Sequence, residues 1–381
     1  MNPRYIEVIN GTSPHLLYKI PHKYHAAHPT GFVVVTNIQK QFPFTICPLY
    51  FCESEVNLPG NNPHDVIVFY NESLGPLEDL LYKLWEEYKL TCCDKTQISI
   101  KRYKYNNQVP PRKIIIPCFK RLENLTAVLK RFQMIDSPPE GYKPQILLVE
   151  HSTFQEIDKI AEEFDCEYMW IFLDPRIPDL PLGQFNKALC YDKSFMTGSP
   201  ATWYLFHDND ILVPKTFWSL LDANVNRSGA KFIQPYTHRT PFYLHEHVSE
   251  AFRKNLHLVD EPIDSKNIQT PIPGAPGGSL YIHRDRYLDV GGHDPNLCWG
   301  YGPEDLLFLD KLRTMAEIAY ADDPPIEMFH LWHPTAELQN PFRREMDIFV
   351  KIYFVNLPLD QKKKLMEGKK NLLTSILMGK L

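Results

Sequence analysis

The sequence has no excess of basic residues. Its 41 Lys and Arg residues are outnumbered by 46 Asp and Glu residues, and the formal net charge is −5. Proteins that bind duplex or single-stranded nucleic acid normally carry a basic surface that neutralises phosphates. This charge balance disfavours a generic nucleic-acid-binding protein, and we expect no nucleic-acid partner.

Long apolar runs are missing as well. No stretch approaches the roughly 20 apolar residues of a membrane-spanning helix. The chain begins Met-Asn-Pro-Arg and continues with polar residues and prolines, without the apolar segment of a signal peptide. We therefore expect a cytoplasmic protein without a transmembrane segment, and we interpret the glycosylation sequons at Asn10, Asn71, Asn124 and Asn226 as chance matches.

Paired cysteines and abundant glycine are also lacking. None of the eight cysteines forms a Cys-x-x-Cys pair, so we interpret them as ordinary thiols rather than a disulfide framework or a zinc site. Only 17 glycines accompany 33 prolines, which predicts rigid connections. The 44% of hydrophobic residues is enough for a packed core. At roughly 150 residues per domain, the 381 residues predict two or three domains.

A linker at residues 103–111, which ends in Asn-Asn-Gln-Val-Pro-Pro, divides the sequence in two. Hydrophobic patterns before it predict strands at residues 32–36, 66–70 and 96–101 and a helix at residues 76–90. These elements predict a small α/β domain over residues 1–108. The residues of this domain do not indicate what it does.

Strands and helices alternate after the linker. Hydrophobic patterns predict strands at residues 113–116, 145–150, 169–173 and 202–206 and helices at 122–132, 154–164 and 184–195. Such alternation predicts an α/β fold with a mainly parallel twisted sheet, whose ligands bind at the carboxyl ends of the strands. We assign residues 109–345 to this domain and residues 346–381 to a helical tail.

Two carboxylates, Asp208 and Asp210, stand one residue apart after the last of these strands. Concentrated negative charge there requires a cationic partner. A divalent metal ion is one interpretation, and a solvated turn with a helix cap is the other. The sequence His330-Leu-Trp-His333 adds two imidazoles that either ligate a metal or are structural. Together the two motifs form a mixed oxygen and nitrogen donor set that suits Mn²⁺ better than Ca²⁺.

A third cluster combines glycines, aromatic rings and carboxylates. Gly277 and Gly278 let a backbone approach a ligand closely, and Trp299 begins a Trp-Gly-Tyr-Gly turn beside Glu304 and Asp305. Aromatic surface next to carboxylates suits carbohydrate. The alternative for Asp305 is that it stabilises the first turn of a predicted helix, and both interpretations can hold at once.

Six motifs follow one another along residues 112–334: Ile114-Ile-Ile-Pro-Cys-Phe-Lys-Arg, Phe185-Asn-Lys-Ala, Asp208-Asn-Asp210, Gly277-Gly278, Trp299-Gly-Tyr-Gly-Pro-Glu-Asp305 and His330-Leu-Trp-His333. In this order they resemble the β-1,4-galactosyltransferases and the related polypeptide GalNAc-transferases, which are GT-A glycosyltransferases. The Trp-Gly-x-Gly form followed by Glu-Asp is more similar to the inverting galactosyltransferase branch. The N-terminal segment and the C-terminal tail lie outside the resemblance.

The resemblance implies the GT-A nucleotide-sugar-binding fold and an enzyme that uses a UDP-sugar with Mn²⁺ or another divalent cation. It implies metal ligation by Asp210, His330 and His333, proton abstraction from an acceptor hydroxyl by Asp305, and acceptor placement by Glu304. It also implies contacts to the donor from these residues: Pro117, Phe119, Arg121, Lys187, Asp208, Gly277, Gly278, Trp299 and Tyr301.

Four positions depart from the family's pattern. Lys187 stands where the family has an Arg that contacts the nucleotide, and His330 stands where it has a metal-binding Met, which changes the expected metal preference. Leu306 replaces an acidic residue that contacts the acceptor sugar, and Tyr301 replaces a Trp. The resemblance therefore leaves the acceptor open.

The sequence thus predicts a metal-dependent inverting glycosyltransferase that moves a sugar, galactose or an N-acetylhexosamine, from a UDP-sugar to a hydroxyl of a glycan or glycoconjugate. Its net acidity does not conflict with a diphosphate ligand, because a bound metal supplies positive charge. Two alternatives stay open: a catalytically inactive GT-A protein that binds carbohydrate or acts as a scaffold, and a UDP-sugar hydrolase or nucleotidyltransferase. The tail either rests on an anionic membrane surface or packs on its own domain, and residues 334–344 are predicted to form a mobile lid.

Overall fold

The computed structural model describes residues 111–378, apart from residues 140, 174–184, 198–199, 237–239, 270–276, 296–301, 335–346 and 348–349, together with the backbone of five earlier strands. The described strands are β1 (Ile9–Asn10), β2 (Phe32–Ile38), β3 (Phe42–Cys47), β4 (Asp65–Phe69), β5 (Ile98–Lys101), β6 (Arg112–Cys118), β7 (Gln145–Ser152), β8 (Glu167–Phe172), β9 (Trp203–His207), β10 (Ile211–Leu212), β11 (Phe232–Gln234), β12 (Phe242–Tyr243), β13 (Ser279–His283), β14 (Ala319–Tyr320) and β15 (Phe329–His330).

The described α-helices are α1 (Leu122–Met134), α2 (Asp158–Glu163), α3 (Lys187–Thr197), α4 (Phe217–Ser228), α5 (Glu246–Lys254), α6 (Arg284–Asp289), α7 (Glu304–Met315) and α8 (Leu359–Leu377). Short 3-10 turns lie at Leu256–Asp260 and Ser265–Asn267, and a π-helical turn lies at Lys351–Val355. None of the helices in the described residues combines the length and the apolar character needed to cross a membrane.

The central sheet has the strand order β14-β11-β13-β9-β6-β7-β8-β5. Strand β6 is parallel to β7 and β9, β7 is parallel to β8, and β11 is parallel to β14. Antiparallel pairing in this sheet involves β13 and the edge strand β5. The predicted α/β class with a mainly parallel central sheet is therefore confirmed.

Residues before the predicted linker contribute strands to two sheets. Strands β1, β4, β2 and β3 form a four-stranded antiparallel sheet in that order, which confirms the strands predicted at residues 32–36 and 66–70. Strand β5 pairs instead with β8 at the edge of the central sheet. Strand β5 lies on the N-terminal side of the domain boundary predicted at residue 108, and that boundary stays a prediction. The helix predicted at residues 76–90 lies outside the described residues.

The core covers both faces of the central sheet. Ile114 and Ile116 of β6 pack with Leu148 on one face, whereas Ile115 packs with Leu147 on the other. Successive side chains of a strand point to opposite faces, so a strand that is buried on both sides reads as an unbroken apolar run. This is why the Ile-Ile-Ile sequence predicts a strand in the middle of the sheet.

Helix α2 begins later than the sequence predicts, because a buried carboxylate binds the segment before it. The amides of Glu156 and Ile157 donate hydrogen bonds to the carboxylate of Glu150, at 2.9 and 3.2 Å. Glu150 lies at the end of β7 and also accepts a hydrogen bond from the Tyr168 hydroxyl. Phe154, the predicted first residue of the helix, lies in the exposed turn.

Pairing between strands brings segments that lie far apart in the sequence together at the carboxyl end of β9. Strand β13 runs antiparallel to β9, and the amide of Asp208, just after β9, donates a hydrogen bond to the carbonyl of Gly278 at 2.7 Å. Strands β10 and β15 pair with Ile211 opposite His330. The segments that carry the predicted glycine, aspartate and histidine motifs therefore meet at the carboxyl end of β9.

Helix α8 closes the described chain by packing on α3, α6 and α7. Its buried apolar residues are Leu365, Met366, Leu372 and Leu373, in agreement with the alternative that the tail packs on its own domain. Lys369 is buried with them, and its ammonium binds the carbonyl of His293 and one carboxylate oxygen of Asp294. Lys311 of α7 binds the other oxygen of Asp294 at 2.8 Å. The helix is thus attached through buried charge as well as apolar contact.

We predict that Lys369→Met destabilises the fold. The substitution leaves the buried Asp294 with one cationic partner in place of two, and removal of one partner from a buried ion pair costs about 3–5 kcal/mol. The matched control is Lys370→Met, because Lys370 is 45% exposed in its pair with Asp289, and such pairs contribute up to about 1 kcal/mol. Chemical denaturation measures both free energies of unfolding, and equal losses would contradict the prediction.

Candidate active site

The predicted site residues fall into two adjoining clusters. The Asp210 cluster contains Asp210, His330 and His333, whose potential metal-binding atoms all lie within 4.8 Å of one another. The Lys187 cluster contains Lys187, Asp208, Glu304 and Asp305, which are joined by ion pairs. Trp299 and Tyr301, predicted to contact the donor, lie outside the described residues.

Contacts of the buried His207 ring stabilise the turn that carries Asp210. The Nε2 atom of His207 lies 2.9 Å from the carbonyl oxygen of Ile211, and Nδ1 lies 2.8 Å from Oγ of Ser279. Burial lowers the pKa of His207 to about 4, so the ring is neutral at pH 7 and Nε2 must donate to the carbonyl. The carbonyl of Asp210 in turn accepts a hydrogen bond from the amide of Leu331 at 2.8 Å, which joins the aspartate turn to the histidine segment.

The Asp210 cluster has the spacing of a metal site. Nε2 of His330 lies 3.5 Å from Oδ1 of Asp210, and Nε2 of His333 lies 3.3 Å from Oδ2. Two ligands about 2.1 Å from a metal at right angles lie roughly 3 Å apart, so small adjustments would bring these atoms around one ion. Oδ1 of Asp210 is buried without a hydrogen-bond partner, and a cation would satisfy it.

The protonation states of this cluster also suit ligation. Burial is the largest effect on His330 and lowers its pKa to about 4, so the imidazole is neutral at pH 7. Burial opposes ionisation of Asp210, but the neighbouring His330, Arg121 and His333 hold its pKa at about 2. Because His330 is neutral, we take Arg121 as the cation that acts on Asp210 at neutral pH. An ionised carboxylate and a neutral imidazole are the forms that bind metals.

Arg121 contacts the carboxylate of Asp210 directly. Its Nη1 atom donates a hydrogen bond to Oδ2 of Asp210 at 2.6 Å. Arg121 and Lys120 both adopt the left-handed backbone conformation, with φ of 57° and 58°, which is uncommon for residues other than glycine and tends to occur at functional sites. This pair of residues turns the chain from β6 into α1 and directs the Arg121 side chain to the end of β9.

Lys187 joins three carboxylates. Its ammonium lies 2.9 Å from Oδ2 of Asp305, 3.3 Å from Oδ1 of Asp208 and 3.4 Å from Oε1 of Glu304. The family resemblance places Lys187 where an Arg contacts the nucleotide, whereas its described contacts are with acidic side chains on two segments. Lys187 therefore links the end of β9 to the start of α7.

Burial shifts the ionisation of two of these carboxyl groups, Asp208 and Glu304, towards neutral pH. Burial, opposed by Lys187, raises the pKa of Asp208 to about 6. Burial and the neighbouring Asp305 raise the pKa of Glu304 to about 7, and Oε2 of Glu304 is buried without a hydrogen-bond partner. The Lys187 cluster therefore contains a carboxyl group that exchanges a proton near pH 7.

The glycine pair makes room for the site's own side chains. A Cβ atom on Gly277 would lie 2.1 Å from Oδ2 of Asp305, and one on Gly278 would lie 2.5 Å from Cδ1 of Ile211. Gly278 also has a φ of 107°, which side chains rarely tolerate. In the described structure, the side chains nearest the positions that a Cβ atom would take at these glycines are those of Asp305 and Ile211.

Aromatic residues complete the described site, and the sequence analysis did not assign them. The hydroxyl of Tyr191 lies 3.3 Å from Oδ1 of Asp208, and that of Tyr236 donates to the carbonyl of Gly277 at 2.7 Å. Tyr191 follows Lys187 by one turn of α3, so helical spacing could have identified it, whereas no local signal marks Tyr236.

Phe119, predicted to contact the donor, stacks on Phe185 with ring centroids 5.3 Å apart. Pro117, another predicted donor contact, lies within β6 opposite Val149 of β7. These residues place an aromatic surface and the end of β6 beside the segment that carries Arg121.

No model of a known protein family matches the chain, and no curated protein matches its sequence. Solved structures do match it. The catalytic domain of Drosophila β1,4-galactosyltransferase 7 in complex with xylobiose is 13% identical, over 66% of this chain and 84% of its own, with a TM-score of 0.34. Residues 1–349 of S. aureus TarS are 12% identical, over 68% and 70%, with a TM-score of 0.41.

A third match is glucosyl-3-phosphoglycerate synthase from Mycobacterium tuberculosis, solved with Mn²⁺, UDP and phosphoglyceric acid. It is 13% identical, over 73% of this chain and 83% of its own, with a TM-score of 0.39. At such identities and TM-scores, the function has to be derived from the residues of this chain.

We predict that Lys187→Met destabilises the protein more at about pH 8 than at about pH 5.5. The folded protein holds protons on Asp208 and Glu304 at pH values where the unfolded chain has lost them, so stability falls as pH rises from about 4 to 7. Removing the ammonium raises both pKa values further. Each unit of increase costs about 1.4 kcal/mol of folding stability at pH values where the carboxylate is ionised.

The measurement is chemical denaturation at the two pH values. The control is Lys130→Met, because Lys130 is exposed on α1 and its loss is expected to have the same small effect at both. A loss of stability for Lys187→Met that did not change with pH would show that Lys187 does not compensate these carboxylates.

Proposed function

We propose that this chain is a metal-dependent inverting glycosyltransferase of the GT-A type. It would transfer a sugar, galactose or an N-acetylhexosamine, from a UDP-sugar to a hydroxyl of a glycan or glycoconjugate. The observation that supports the proposal best is that two clusters of different chemistry meet at the carboxyl end of β9. Asp208 belongs to the Lys187 cluster of carboxylates, which includes the proposed base Asp305, and Asp210, two residues later, belongs to a donor set that could hold a metal ion.

On the donor side, Asp210, His330 and His333 would hold Mn²⁺ or another divalent cation. When bound, such a cation supplies positive charge to the diphosphate leaving group. Arg121 is placed to add a charge-assisted hydrogen bond to a phosphate, and the Phe119 ring offers a surface next to the nucleotide. We assign Trp299 and Tyr301 to the donor sugar from the sequence alone.

On the acceptor side, Asp305 would act as the general base. The acceptor oxygen forms a bond to the anomeric carbon while the bond from that carbon to the diphosphate breaks, and the hydroxyl proton passes to the Asp305 carboxylate. Attack on the face opposite the leaving group inverts the configuration. Lys187 holds Oδ2 of Asp305 at 2.9 Å, which leaves Oδ1 to receive the proton. Glu304 would position the acceptor.

Residues 109–345 would form the catalytic unit, and the cytoplasm would be its compartment. The acidic residue that would normally follow Asp305 is Leu306 here, so we propose no particular acceptor. A screen of UDP-galactose, UDP-GalNAc, UDP-GlcNAc and UDP-glucose by thermal shift in the presence of Mn²⁺ would identify the donor before acceptors are tested.

We predict that Asp305→Asn lowers turnover by about 10²–10⁴-fold, the usual contribution of a general base, while UDP affinity changes less than about twofold. The control is Asp310→Asn on the same helix, because Asp310 pairs with Lys362 at 2.7 Å and has no part in the proposed chemistry. Turnover is measured with the donor and acceptor that the screen identifies. Full turnover by Asp305→Asn would show that another group is the base.

We also predict that chelation abolishes transfer and that Mn²⁺ restores it, and that Asp210→Asn binds Mn²⁺ at least about tenfold more weakly, because a ligand and its charge are lost. UDP release with and without acceptor separates the alternatives. Release that requires acceptor supports a transferase, release without acceptor indicates a hydrolase, and no release in the presence of bound UDP-sugar indicates a binding protein. Transfer that persists after chelation would contradict the metal requirement.

A further inference from the structure

Arg121 binds one oxygen of the Asp210 carboxylate, the group on which the proposed metal site is built. Its guanidinium binds Oδ2 of Asp210 at 2.6 Å, and Nε2 of His333 lies 3.3 Å from that oxygen. The Asp210 side chain is 2% exposed, whereas that of Arg121 is 31% exposed. The carboxylate is therefore fixed in the interior, and the guanidinium is the partner with access to solvent.

Arg121 and a divalent cation compete for this carboxylate. A guanidinium stays charged at every pH that a protein experiences, so Arg121 cannot make way by losing a proton. Oδ1 of Asp210 has no hydrogen-bond partner, and a cation held there with His330 and His333 would stand next to the guanidinium on Oδ2 and be repelled by it. Departure of Arg121 from Oδ2 would therefore strengthen the binding of a metal ion.

A nucleoside diphosphate gives the displaced guanidinium a new partner. Arginine binds phosphate oxygens through two parallel hydrogen bonds, and Arg121 lies between the end of β6 and the start of α1, two residues after Phe119. The same diphosphate gains from a cation bound to Asp210. A single bound diphosphate would thus stabilise both changes, the movement of Arg121 away from Asp210 and the binding of the metal ion.

We propose that Arg121 and the divalent cation are alternative partners of Asp210, and that a nucleoside diphosphate couples them. Without nucleotide, Arg121 closes the metal site. With nucleotide, Arg121 moves to a phosphate and the cation takes its place, so each ligand strengthens the binding of the other. This inference rests on the proposed function, because it uses the proposed metal site and the proposed diphosphate ligand.

The test is the affinity for Mn²⁺ without nucleotide, measured by electron paramagnetic resonance of free Mn²⁺ on the full chain. We expect Arg121→Ala to bind Mn²⁺ at least tenfold more tightly than the wild type. Addition of UDP should then strengthen Mn²⁺ binding by a smaller factor in the variant than in the wild type. The measurement without nucleotide matters most, since UDP also binds Mn²⁺ itself.

Two controls make the result specific. Lys120→Ala removes an equal charge from the adjacent residue, whose side chain is exposed and whose ammonium lies 4.9 Å from the centre of the Phe119 ring, and we expect less than a threefold change. Arg121→Gln is a second variant with the same expected gain in Mn²⁺ affinity, in case Arg121→Ala does not fold. Asp210→Asn should lose Mn²⁺ binding in every background.

Unchanged or weaker Mn²⁺ binding by Arg121→Ala and Arg121→Gln would overturn the inference. If Asp210→Asn still lost Mn²⁺ in that case, the metal site of the proposed function would stand. Equal gains for the Arg121 and Lys120 variants would also overturn the inference, because they would show a general effect of charge. If Asp210→Asn bound Mn²⁺ as the wild type does, the proposed metal site would fail and the inference with it.

Discussion

Buried negative charge at one edge of the sheet is the constraint on which the candidate site depends. Asp208, Asp210, Glu304 and Asp305 converge where β9 ends. Removing one ionised carboxylate from water costs several kcal/mol unless a partner offsets it. Lys187 and Arg121 offset this charge in the described structure, and protonation of Asp208 and Glu304 near neutral pH relieves part of the remainder. The site is therefore held together by cations that a charged ligand could replace.

The backbone sets how far apart the two clusters can be. Asp208 and Asp210 share one turn, whose ends are held by the Gly278 carbonyl and by the amide of Leu331. His207 supports the turn from the buried side, as a neutral ring bonded to β10 and β13. Because the turn is hydrogen-bonded on both sides, the distance between the Asp210 cluster and the Lys187 cluster follows from the strand pairing rather than from flexible loops.

The sequence predicted the secondary-structure elements and the residues that carry potential metal-binding atoms. It did not predict as well which of these residues lie close together. Strand β9 and the residues after it could be read locally, because an apolar run that ends in two aspartates has a direct physical meaning. The approach of His330 to Asp210 could not, since it depends on the pairing of β10 with β15, which lie far apart in the chain. The grouping of the two motifs came instead from the chemistry of their donor atoms and from the family resemblance.

Lys187 shows the same limit in another way. A positive charge near a nucleotide site suggests a phosphate partner, but which anion it contacts depends on where α7 begins. Glu304 and Asp305 form the first turn of that helix, and Gly277 leaves space for the Asp305 carboxylate. Neither the position of α7 nor this space is encoded near Lys187. The helix that the sequence predicts to begin near Asp305 is present as α7, yet its contact with Lys187 of α3 is a property of the whole fold.

Helix α7 connects the Lys187 cluster with helix α8 through ion pairs. Its first turn holds the proposed base against Lys187, and Lys311, two turns later, binds Asp294. Lys369 of α8 binds the second oxygen of Asp294. Asp294 is therefore fixed by two buried lysines from two helices. Helix α8 lies outside the family resemblance, but through Lys369 it is joined to the same carboxylate as the helix that carries Asp305.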